Sequence, residues 1–193
     1  MPETVRSALA DEIAGLRGVG RHVVWVAPEN LHLTLKFLGK VERERLAVVA
    51  AGLADVAASA LPFELTIRGL GSFPTAARPR VIWAGIDTGR DQAAALAEGI
   101  DAALAPIGFA AEARPFAAHV TLGRVREPRR HPTLTGTVAA SVGRGFGNFR
   151  VDSLALMRSD LSPRGARYTP LASWPLGRRS DSPVHSLQGE SGR

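Results

Sequence analysis

At 193 residues without a cysteine, the chain is long enough to bury a core of its own and carries no disulfide framework, thiolate metal site or cysteine nucleophile. Its net charge of +6 is uneven: Arg124 to Arg179 holds eleven Arg against three acids, and the remainder is slightly acidic, which suggests a polyanionic partner. No apolar run reaches the length of a membrane span, and the opening MPETVRSALADE lacks the basic start and apolar centre of a signal peptide, so the expectation is a soluble, cytoplasmic protein.

In chain order, Val5, Leu9, Ile13 and Leu16 fall three to four apart behind Pro2 and predict an amphipathic helix over Glu3 to Leu16. HVVWVA (His22 to Ala27) and LHLTLKFL (Leu31 to Leu38) read as strands flanking a PEN turn. Leu46, Val49, Leu53 and Val56 mark a second helix, PFELTIRGL and RVIWAGID two more strands, and Leu96, Ile100 and Leu104 a third helix. A strand holding His119 follows, then a short helix within Glu127 to Val142. NFRVDSLALMRS and ARYTPLASWPL predict a closing strand pair joined by the turn residues LSPRG. The order is that of an α+β protein with two lobes, two antiparallel sheets and flanking helices, one motif strand from each lobe facing a central cleft. Residues 1–177 read as one two-lobed catalytic domain and 178–193, polar and poor in large apolar residues, as a disordered tail.

The chain has five histidines, and two of them open the same His-x-Thr-Leu: HLTL at His32 and HVTL at His119. In an extended strand residues i and i+2 share a face, so each motif presents an imidazole beside a hydroxyl while its leucines point the other way. Two imidazoles brought face to face suit a reaction in which one takes a proton from water and the other gives one to a leaving oxygen, as in phosphodiester hydrolysis. The hydroxyls of Thr34 and Thr121 then hold the non-bridging phosphate oxygens, and the scheme needs no metal and no cofactor. His22, His131 and His185 lack the Thr and receive no chemistry. GRGFGN (Gly143 to Asn148) reads as a turn, since it lacks the strand and the Lys-Ser/Thr of a phosphate loop, and LGSFP holds no nucleophile elbow.

VVWVAPENLHLTLKFLG, PRVIWAGI, FAAHVTLGRV and FRVDSLALMRSDLSPRGARYTPL together resemble the two-histidine (2H) phosphoesterases, and more narrowly the RNA 2′,3′-cyclic phosphodiesterases historically called 2′-5′ RNA ligases. The likeness runs to about Leu176. It implies a 2H fold and metal-independent hydrolysis of a terminal RNA 2′,3′-cyclic phosphate to a 2′-phosphomonoester, with His32 as proton donor to the leaving 3′ oxygen and His119 as acceptor of the water proton. It implies RNA as the partner and no obligate protein partner. Arg124 and Tyr168 are further candidates for contact with phosphate or stacking on a base. The family's Pro before the second His is Ala118 here, and its short apolar first strand is expected to be missing ahead of Glu3, leaving one lobe a strand short with an unpaired edge. Two other readings stand beside this one: a non-catalytic RNA-binding module, and the same chemistry on 2′-5′ linked or small cyclic nucleotides.

Overall fold

The computed structural model describes residues 1–127, 130–162 and 165–178. The chain divides into two compact units. The first comprises Met1–Thr34, Glu64–Asp91 and Ala117–Arg150; the second comprises Leu35–Phe63, Gln92–Phe116 and the chain from Val151 onward.

In the first unit, helix α1 (Glu3–Leu16) starts behind Pro2, whose backbone is extended, and buries the stripe Val5, Leu9, Ile13 and Leu16 that its spacing predicts. Glu12 is buried on the same helix, 4 % exposed, and its carboxylate pairs with Arg144 at 2.7 Å, so this charge enters the interior only with a partner. Strands β1 (Val23–Trp25), β2 (Phe63–Thr75), β3 (Arg78–Ile86), β4 (His119–Val125) and β5 (Gly145–Val151) form one sheet in the order β1-β4-β3-β2-β5, where β1–β4, β4–β3 and β3–β2 are antiparallel. One face is closed by Ile82, Ala84, Ile86, Val120, Leu122 and Leu65, each at most 2 % exposed. Burying one such Leu, Ile or Val contributes about 1.5–3 kcal/mol, so this face is the energetic base of the unit. The helix expected near residue 130 is α4 (Pro132–Ala140), with Pro at its first turn and Leu134 and Val138 buried.

The second unit is built on α2 (Leu46–Ser59), α3 (Arg90–Leu104, whose first two residues belong to the first unit) and the hairpin β6 (Ser153–Ser162) with β7 (Gly165–Pro175). Val49, Leu53 and Ala57 of α2 meet Leu96, Ile100 and Leu104 of α3 and Leu154, Leu156, Ala172 and Trp174 of the hairpin in one apolar cluster. Lys36 extends over this unit: its ammonium bonds the Asp101 carboxylate on α3 and the Ala110 carbonyl at 2.7 Å, and only 4 % of its side chain is exposed. Asp101 also accepts the Glu112 N–H at 3.0 Å.

Four expectations require correction. LHLTLKFL is not a regular strand: Leu33 makes a single antiparallel bridge to Val120, and beyond Thr34 the alternating Leu35 and Leu38 pack on the second unit's apolar cluster. Alternation reports one-sided burial, which an extended segment achieves without a hydrogen-bonded ladder. Both His-x-Thr segments consequently lie in the first unit, not one in each lobe. NFRVDSLALMRS breaks at Asp152, with Gly145–Val151 in the five-stranded sheet and Ser153–Ser162 in the hairpin, and most of GRGFGN is therefore strand β5, not turn. A β2 position explains that local fold: Gly69 has φ +76° and donates to the Arg144 carbonyl at 2.8 Å, and a Cβ there would lie 2.5 Å from the Val142 carbonyl oxygen. Two readings fall outside the described residues in whole or part, the tail from residue 179 on and the middle of the LSPRG turn at Pro163 and Arg164.

Candidate active site

Strand β4 carries the second motif. Val120 and Leu122 are fully buried, while His119 and Thr121 are half-buried on the opposite, open face. The Leu33–Val120 bridge brings the first motif alongside. Paired residues share a face, so the neighbours of Leu33 and of Val120 all turn to the other one. An antiparallel bridge at this register sets His32 opposite Thr121 and Thr34 opposite His119, and puts the two histidines on a diagonal. Opposite Cβ atoms in such a pair are about 4.5–5.5 Å apart and diagonal ones about 7–8 Å.

Both rings are held in the same way. His32 Nδ1 lies 2.6 Å from the backbone carbonyl oxygen of Asn30, and His119 Nδ1 lies 2.6 Å from that of Ala117, in each case two residues back. A carbonyl oxygen only accepts, so Nδ1 carries the hydrogen in both rings. The Asn30 carbonyl sits at the end of a 3₁₀ turn, Pro28–Asn30, closed by the Asn30 N–H on the Ala27 carbonyl at 2.8 Å. The PEN sequence thus positions the acceptor for His32.

Arg124 is brought to the same face by an irregularity. Were β4 regular, residue 124 would alternate to the side of Val120 and Leu122. The β3–β4 register shifts instead: Trp83 pairs with Thr121 and Val81 with Arg124, while Leu122 and Gly123 together span Ile82. This bulge buries two successive residues, Leu122 and Gly123, and returns Arg124 to the open side of the motif, where it is exposed. Gly123 is required there, since a Cβ would lie 2.5 Å from Val23 Cγ1 and 2.8 Å from the Trp25 ring. Tyr168 belongs to the second unit, half-buried on β7 opposite Ser159.

Two residues beside His119 escaped the sequence reading. The Phe73 ring stands perpendicular to the imidazole, at 82° and 5.0 Å between centroids, and Trp83 lies 5.1 Å from Phe73 and 6.4 Å from His119. The available signal was the alternation Gly71-x-Phe73 beside Trp83-x-Gly85, which marks an aromatic face with glycines across it. Among the described residues no group of three or more His, Asp and Glu is arranged to hold a metal ion, and no helix is long and apolar enough to cross a membrane.

Comparison with known proteins places the chain among phosphoesterases. The model of the LigT-like phosphoesterases matches residues 1–83 and 86–168. The chain belongs to that family. The LigT-like chain is 35 % identical over 156 residues to an RNA 2′,3′-cyclic phosphodiesterase of Methanothermobacter thermautotrophicus, covering 81 % of this chain and 84 % of that one. It is 36 % identical over 160 residues to the protein of the same name in Archaeoglobus fulgidus, covering 83 % and 85 %. Among solved structures it resembles a Thermus thermophilus protein, TT0787, with a TM-score of 0.77 and 33 % identity over 94 % of this chain and 96 % of that one. It also resembles E. coli LigT complexed with 3′-AMP, with a TM-score of 0.73 and 28 % identity over 92 % and 94 %. The fold is accordingly the two-lobed α+β fold of the LigT phosphoesterases, and the protein is a phosphoesterase.

Proposed function

We propose that this LigT-like phosphoesterase hydrolyses the terminal 2′,3′-cyclic phosphate of RNA to a 2′-phosphomonoester, with His119 as base and His32 as acid. The observation that carries the reading is the pairing of the two motifs across the Leu33–Val120 bridge, each imidazole bonded at Nδ1 to a backbone carbonyl. Neutral His119 takes a proton from water at Nε2 as the water oxygen bonds to phosphorus. Protonated His32 then gives its Nε2 proton to the 3′ oxygen as the P–O3′ bond breaks. The Nδ1–H to carbonyl bond survives in both charge states, so neither ring has to turn during the cycle. The Thr34 and Thr121 hydroxyls, short and stiff at χ1, donate to the non-bridging oxygens, and Arg124 balances the charge that builds on them. RNA as substrate is supported by the name shared by the two relatives above and by the excess of Arg in the C-terminal half.

The experiment is a product assay on an oligonucleotide ending in a 2′,3′-cyclic phosphate, with and without a chelator, on the unaltered protein, His32→Ala and His119→Ala. The expected result is a chelator-insensitive 2′-phosphomonoester product and loss of most turnover in either folded variant. Near-normal turnover in either variant overturns the acid–base assignment and favours an RNA-binding role. A preference for a 2′-5′ linked or small cyclic nucleotide keeps the chemistry and replaces the substrate.

A further inference from the structure

We infer that Phe73, braced by Trp83, is the positioning residue for His119. The inference rests on the reading of His119 as the base. Among the described residues the imidazole has one directional anchor, the Nδ1–H bond to the Ala117 carbonyl. A single hydrogen bond at a half-buried position leaves the ring free to rock about it, and a base displaced by a fraction of an ångström from the attacking water loses much of its effect. The perpendicular phenyl ring 5.0 Å away closes one side of the imidazole at the separation that aromatic pairs favour.

The sheet is shaped to hold that phenyl ring in place. Gly71, two residues before Phe73, pairs with Trp83, and a Cβ at Gly71 would lie 2.2 Å from the indole Cη2 and Cζ2. Gly85, two residues after Trp83, pairs with His119, and a Cβ there would lie 3.3 Å from the indole Cζ3 and 2.9 Å from the Arg68 carbonyl oxygen. With both side chains absent, the indole lies over bare backbone on two strands and meets Phe73 at 5.1 Å. Its Nε1 is buried with no hydrogen-bond partner among the described residues. A buried N–H left unpaired is costly, and here the indole contributes shape and ring contacts in place of a hydrogen bond. Trp83 on β3, Phe73 on β2 and His119 on β4 form a cluster of three rings, with Phe73 the nearer of the two aromatics to the imidazole.

The test compares Phe73→Ala, Phe73→Leu and Phe73→Tyr with the unaltered protein on 2′,3′-cyclic AMP and 2′,3′-cyclic UMP, with His119→Ala as control. Positioning predicts that kcat falls about 10- to 100-fold in Ala and Leu, by the same factor for both bases, with KM within about 2-fold. Tyr, which keeps the ring, recovers most of the rate. Long-range proton–nitrogen spectra of the histidines should show His119 as the Nδ1–H form in the unaltered protein and averaged between forms in Phe73→Leu, a signature that loss of packing alone does not produce. Unchanged kcat in a folded Leu variant overturns the inference. So does a rise in KM confined to one base, which would make Phe73 a stacking surface for the nucleobase. If His119→Ala is inactive and the Phe73 variants are normal, this inference alone fails; if His119→Ala is active, the acid–base reading fails with it.

Discussion

Replacing Asp101 with Asn should destabilise the second unit by about 3 kcal/mol. In the native fold the Lys36 side chain is 4 % exposed, and its ammonium is bonded to Asp101 and to the Ala110 carbonyl at 2.7 Å. Removing one member of a buried pair costs about 3–5 kcal/mol because the other charge stays behind, and Asp101, 22 % exposed, places the loss at the lower end. At about 2–4 °C per kcal/mol for a chain of this size, Tm should fall by about 6–12 °C. Lys36→Met should cost less, about 1–2 kcal/mol, since it leaves a carboxylate that is partly hydrated and still accepts the Glu112 N–H at 3.0 Å. The double variant should lose less than the sum. The pair also sets a pH dependence. The Lys36 hydrogen bond, then the Glu112 N–H, hold the Asp101 carboxyl below its ordinary value of 3.8. Because the folded value lies below the unfolded one, this stabilisation is fully present above about pH 4 and is lost as pH falls through the lowered folded value. The gap between unaltered protein and Asp101→Asn should be flat from about pH 5 to 7 and shrink below about pH 4. Urea melts followed by Trp174, buried in the same unit, measure it. A loss under about 0.5 kcal/mol at neutral pH, or a gap constant down to about pH 2, would refute the reasoning.

Since the proposed reaction needs one imidazole neutral and the other protonated, kcat/KM should pass through a maximum with pH, and each flank should vanish in the matching His→Ala variant's residual rate. Thr34→Val and Thr121→Val, which keep shape and lose the hydroxyl, should each slow kcat about 10- to 1000-fold, and unchanged kinetics in both would reduce them to strand packing. Arg124→Leu should raise KM, flatten its dependence on salt and yield a mixture of 2′ and 3′ monoester; an unchanged salt slope and a single isomer would remove Arg124 from the phosphate. Gly123→Ala must displace Val23 or Trp25 and should cost about 1–3 kcal/mol in a thermal melt, with a neutral effect showing that the bulge yields.

The elements with strong periodicity were legible: α1, α2, α3 and strands β1 to β4 follow from the spacing of apolar residues. So was the repeated His-x-Thr, because a strand face needs only residue type and a period of two. What the sequence did not reveal depends on neighbours in space. The bulge that turns Arg124 to the open face exists only in the register of β3 against β4, and a straight alternation puts that residue on the wrong side. Phe73 and Trp83 reach His119 across three strands. The carbonyls of Asn30 and Ala117 are backbone atoms, whose identity no side-chain motif records. The break at Asp152 was hidden because both halves of NFRVDSLALMRS are good strand formers, and strand propensity does not say which sheet a strand joins.

The like bond at Nδ1 gives the two imidazoles the same tautomer, and by that bond alone the pair has no inherent direction. A cyclic phosphate seated one way round between them would open at one ester oxygen, and seated end for end it would open at the other, with donor and acceptor exchanged. The isomer formed must then be chosen by whatever breaks the likeness between the motifs. Five residues beyond His119 the chain has Arg124; five beyond His32 it has Phe37, 66 % exposed. Lys36, four beyond His32, is held by Asp101 and the Ala110 carbonyl, so at this offset a cation follows the second motif alone. Under the proposed mechanism the histidines would supply the proton traffic, and a single guanidinium, turned to the open face by one extra residue in a strand, would give that traffic its heading.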